Sequence, residues 1–155
     1  MSRSTIIVIA VIVGVFAYKH FNKADRDDAG NIVAEGSVDA FSVKVGDCFN
    51  EPKGAEVETV VGVPCNEPHD SEVFYQFDIE SQEFPTQTVE QIANDGCLEK
   101  FEAFVGKNYN DSLLELYYLY PTRESWVRMN DRAVTCAVYH SQNKKLTSSA
   151  RGMAI

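Results

Sequence analysis

The hydrophobic period of this chain changes several times, and each change marks a new element. Residues Ile6 to Tyr18 are apolar almost without a break. From Asn22 to Ala40, "NKADRDDAGNIVAEGSVDA" is polar, acidic and short of large apolar side chains. Such a stretch cannot bury enough surface to offset its ordering entropy, so a flexible tether is expected. A first strand then falls in "FSVKVGDCF". Period-two alternation follows in Val57 to Val63 and in Glu72 to Ile79, the latter placing Val73, Tyr75, Phe77 and Ile79 on one face. "NEPKGAE" (50–56) carries Pro52 and Gly54 and reads as a hairpin loop.

After "FPTQ" the period lengthens. Val89, Ile92, Ala93, Cys97, Phe101, Phe104 and Val105 recur at three- and four-residue steps, as one stripe of a helix does. Thr86 or Thr88 supplies its cap, Glu90 sits in its first turn and Gly106 ends it. "LLELYYLYP" and "RAVTCAVYH" are two further strands, and "SQNK" turns the chain into a last one around "KLTSSARGM". The expected class is α+β: an antiparallel sheet with one main helix packed on one face. Four regions result: a short tail (1–4), an apolar segment (5–21), the acidic tether (22–40) and a domain (41–155).

The apolar segment has Arg3 before it and Lys19, His20 and Lys23 after it. With Thr5 and Phe21 included it approaches the lower limit for a membrane-spanning helix. We expect a retained signal-anchor, with a secreted domain released by cleavage after Ala17 as the competing reading. Its flanking charges do not orient it, because bases lie on both sides.

Cysteines do. Cys48, Cys65, Cys97 and Cys136 are even in number, contain no CxxC and follow an export-type segment, which points to two disulfides in an oxidising compartment. Val134, Cys136 and Val138 share a strand face whose valines want the core. Cys97 lies on the helix stripe that should cover that core. The expected pairs are Cys97–Cys136 and, by elimination, Cys48–Cys65.

Charge excludes one class of partner. The chain has 14 basic and 23 acidic residues, net −9, and no basic stripe, so nucleic acid is not expected. HExxH, GxSxG and Walker A patterns are missing, and paired cysteines leave no thiol nucleophile. No cofactor, metal or catalytic residue is assigned, and the domain is not expected to be an enzyme.

Two stretches could still carry a ligand. In "CNEPHDSEV", His69 with Asp70 and Glu72 has the chemistry of a metal ligand set or an oriented base. Asn66 and Pro68 are turn residues, however, and the corner of a turn is the preferred reading. In "LELYYLYPTRESW" (114–126), Leu114, Leu116, Tyr118 and Tyr120 share the core face. Tyr117 points the other way, where with Trp126 it could stack on a glycan or anchor a partner. Asp131 and Arg132 are expected to form an ion pair that fixes a turn.

"VGDCF" (45–49), "VPCNEPHDSEVF" (63–74), "FPTQ…CLEKFEAFVG" (84–106), "YPTRESWVRMNDRAVTCAV" (120–138) and "LTSSARG" (146–152) occur in that order. Together they resemble the septum formation domain family, exported lipoproteins and membrane proteins largely of actinobacteria. Where members often have Gly-Asp-Arg, this chain has Asn130-Asp131-Arg132, and Asn tolerates the same left-handed conformation. No cysteine lies near the N-terminal segment, so lipidation is not expected. The resemblance implies a role at the division septum and no catalytic residues. The reading is a membrane-tethered, extracytoplasmic binding or scaffold module of the cell envelope. Envelope or division proteins, or cell-wall glycan, would be its partners.

Overall fold

A computed structural model describes residues 23–50 and 58–155. The apolar segment at 5–21, expected to span the membrane, lies outside the described residues, as does nearly all of the expected hairpin loop at 50–56. Among the described residues no helix is long and apolar enough to cross a membrane.

Among the described residues, eight strands and two α-helices make up the fold. β1 (Asp25–Arg26) and β2 (Ile32–Ala34) form a two-stranded ribbon. A six-stranded antiparallel sheet contains β3 (Gly36–Asp39), β4 (Cys48–Asn50), β5 (Thr59–Val63), β6 (Ser71–Asp78), β7 (Leu114–Leu119) and β8 (Ala133–His140). Its order is β3-β5-β4-β6-β8-β7. Helix α1 (Val89–Val105) lies on one face, and α2 (Arg123–Arg128) caps the turn between β7 and β8. The α+β class, the main helix and both disulfides, Cys48–Cys65 and Cys97–Cys136, are as expected.

The helix face holds the larger core. Val89, Ala93, Cys97, Phe101, Phe104 and Val105 of α1 are buried against Phe74, Leu114, Val134, Cys136 and Val138 of the sheet. Thr88 is the N-cap residue, but its side chain makes no capping bond. Gly106 ends the helix in the left-handed conformation at φ 81°, which only glycine adopts without strain.

Three expectations are corrected. Residues 23–40 are not a loose tether: Ile32 and Val38 are buried in a second core with Val43, Phe49, Val60, Val73 and Ala137. Two apolar residues suffice here because β3 also pairs along β5 and Arg26 ion-pairs with Asp47. The alternation in β6 is broken by a bulge between Val73 and Tyr75. Val73 therefore packs in the second core, while Phe74, Tyr75, Phe77 and Ile79 belong to the helix side.

The segment at 145–153 is not a strand beyond one bridge, His69 to Leu146. Its amides are drawn off instead. Ala150 N–H donates to the Glu72 carboxylate, and Gly152 and Ala154 N–H donate to the helix-end carbonyls of Phe104 and Val105.

Candidate functional site

The "CNEPHDSEV" run forms the turn its composition suggests, with Glu67 N–H bonded to Pro64 O at 2.9 Å. The chemistry it presents differs from the grouping expected. Asp70 turns outward to Lys145, Nζ to Oδ1 at 2.7 Å. His69 and Glu72 turn inward, exposed by 0% and 4%. Glu72 is the register partner of Cys48 on β4 and of Val138 on β8, so the pleat places all three on the helix face. Cys48 Sγ, a ring nitrogen of His69 and a carboxylate oxygen of Glu72 lie within 4.8 Å of one another.

Each of these side chains is held from behind. His69 Nδ1 lies 2.7 Å from Glu67 O. A carbonyl only accepts, so Nδ1 carries the proton. Glu72 Oε1 accepts from the Ser149 hydroxyl at 2.7 Å and Oε2 from Ala150 N–H at 2.5 Å. His69 Nε2 is buried and has no hydrogen-bond partner. Sequence spacing could not reveal this cluster, since Cys48 lies more than twenty residues before Glu72. Only the β4–β6 register joins them.

The other candidates sort differently. Tyr117 does face away from α1, but that face is the second core, where its ring packs 6.2 Å from Phe49. Trp126 is 4% exposed. The Arg132 guanidinium lies over its ring at 3.6 Å and donates to the carbonyls of Trp126 and Asp131. The expected ion pair is absent: Asp131 accepts from the Ser125 hydroxyl at 2.8 Å and from Ala133 N–H at 3.1 Å. Asn130 sits at φ 53°, the left-handed conformation expected of it. These contacts fix α2, whose Thr122–Ser125 capping box was the overlooked signal of a helix.

Beyond the ribbon, the same face of the sheet stays open. Gln76, Leu119, Ala133 and Thr135 lie in a groove of about 1080 Å³ between residues 40–41 and α2. Gln76 Nε2 bonds Thr135 Oγ1 and Val43 O at 2.8 and 2.9 Å, so the floor is rigid. Phe41, Tyr120 and Met129 line it while 58%, 38% and 59% exposed. Sequence alternation placed Tyr120 in the core and said nothing of Phe41 or Met129. Only the approach of α2 to residues 40–41 creates the groove.

The profile of the septum formation family matches residues 45–154, well over half the chain. The chain belongs to the septum formation family. Comparison with curated proteins and with solved structures gives no match. Family membership ties the domain to septum formation. The matched span contains the Cys48–His69–Glu72 cluster and most of the groove, while β1, β2 and β3 precede it.

Proposed function

We propose that this septum formation protein is a non-enzymatic binding module of the bacterial cell envelope. In this reading the apolar segment at 5–21 holds it in the membrane as a signal-anchor. The folded domain stands on the extracytoplasmic side and docks a protein of the envelope or division machinery. The groove beside α2 carries the proposal. Phe41, Tyr120 and Met129 offer apolar surface to solvent above a hydrogen-bonded floor, with Glu58, Arg123, Glu124 and Arg128 at the rim. Aromatic residues, Met and Arg inside a charged rim are what protein interfaces favour. Two disulfides support the extracytoplasmic placement.

The test is an export-competent fluorescent fusion retaining residues 1–22, imaged in dividing cells. Midcell accumulation is expected, and Met129→Glu with Phe41→Glu should disperse it while leaving the circular dichroism of the purified protein unchanged. Uniform envelope signal from the unaltered fusion would overturn the septal role. Unchanged midcell signal in the groove variant would overturn the groove as its docking site.

A further inference from the structure

We propose that Cys48, His69 and Glu72 form a site for a zinc-class divalent cation that opens when the Cys48–Cys65 disulfide is reduced. The inference does not rest on the docking role above. Thiolate, imidazole and carboxylate are the ligand types that zinc takes. If the three atoms sat at the full 4.8 Å from one another, a central ion would be about 2.8 Å from each, so a contraction of under an ångström reaches bonding distances of about 2.0–2.3 Å.

The surroundings are those of ligands rather than of core residues. A ligating histidine normally donates its other ring N–H to a carbonyl, as His69 does to Glu67, which leaves Nε2 as the donor atom. Glu72 is oriented by Ser149 and Ala150. An unpartnered buried nitrogen carries a desolvation cost that nothing in the apo arrangement offsets, and a cation would remove it.

The disulfide gates the site because a cystine sulfur is a poor ligand and a thiolate a strong one. Cys48 is fully buried, whereas Cys65 is half-buried beside the exposed residues 66–68. Attack therefore comes at Cys65. One thiolate of an external dithiol bonds to Cys65 Sγ, the S–S bond breaks and Cys48 leaves as a thiolate beside His69. The second thiol of the reductant attacks the mixed disulfide, freeing Cys65. The reductant departs as a disulfide, having given two electrons and two protons to the cystine. Binding the cation then releases the Cys48 proton. Water or the Cys65 thiolate completes the fourth position.

Cobalt reports this directly. Full-length protein with Cys65→Ser frees Cys48 and needs no reductant, so Cys97–Cys136 stays closed. Anaerobic titration should give one Co²⁺ per chain with a thiolate-to-cobalt charge-transfer band, displaced by Zn²⁺ and absent from the oxidised wild type. Adding His69→Ala should weaken binding at least about 100-fold, since losing a ligand costs no less than losing a residue that only orients one. A folded Cys65→Ser protein without the band overturns the proposal, as does a band that survives Cys48→Ser. Should Cys65→Ser fail to fold, reduced wild type is the second measurement. Zn²⁺ should then protect Cys48 from alkylation as read by peptide mass, and equal labelling with and without Zn²⁺ overturns the site.

Discussion

Arg26 and Asp47 meet as a bidentate pair, Nη1 to Oδ1 at 2.6 Å and Nη2 to Oδ2 at 2.7 Å. Asp47 belongs to the "VGDCF" run and is 3% exposed, whereas Arg26 comes from the acidic stretch ahead of the domain. The same carboxylate accepts Lys44 N–H at 2.8 Å, and the guanidinium also reaches Gly30 O. The hydrogen bond to Asp47 raises the Arg26 pKa above its already high ordinary value, so the guanidinium stays charged.

Removing Arg26 strands a buried carboxylate. Arg26→Ala should cost about 2–3 kcal/mol, below the figure for a fully buried pair because the arginine is partly exposed. Gly36→Ala should release the same ribbon, since a Cβ there would overlap the backbone of Lys23 and Ala24. Because both changes detach one element, the double variant should lose less than the sum. Urea midpoints of the single and double variants check this, and full additivity would show that the ribbon does not act as a unit.

Trp126 is the single tryptophan, so its emission reports its surroundings. Arg132→Ala removes the stacked guanidinium and two bonds to carbonyls. A red shift and a loss of about 1–2 kcal/mol are expected. Arg132→Lys should recover little, because an ammonium cannot reproduce the planar stack.

Asn130 holds a left-handed backbone at φ 53° just after α2. Asn130→Gly should be neutral or stabilise by up to about 1 kcal/mol, while Asn130→Ala should destabilise by about 1–2 kcal/mol. Thermal melting of the two variants decides it.

The two disulfides should differ in worth. Cys97–Cys136 closes a 39-residue separation inside the main core, and Cys48–Cys65 closes 17 residues. On the chain-entropy account their removal costs about 4 and 3 kcal/mol. Cys97→Ala with Cys136→Val should therefore lower the melting temperature more than Cys48→Ala with Cys65→Ala.

Local periodicity was enough for much of this molecule. The stripe from Val89 to Val105 dictated α1, Gly106 its end, and the faces of Cys97 and Cys136 their pairing. These depend on neighbours three or four residues apart, or on which face a strand must bury, and both are written along the chain. Asn130 was placed through the family resemblance, whose members often have Gly there, together with the tolerance of Asn for positive φ.

What only the tertiary structure decided lies in contacts between distant segments. The bulge at Val73–Tyr75 re-phases β6 because two cores on opposite faces must both be filled. The stretch from 23 to 40 orders because β5 and Asp47 receive it, although its own composition is too poor in apolar surface to predict that. Residues 145–153 fail to form a strand because Glu72 and the end of α1 claim their amides. The Cys48–His69–Glu72 cluster exists through the register of β4 on β6, and the groove through the placing of α2. The sequence by itself determined α1, the strands β4 to β8 and the covalent staples, which are local or facial properties. Register, bulge and site are set by competition among partners far apart in the chain, and that competition is resolved only when the whole sheet closes.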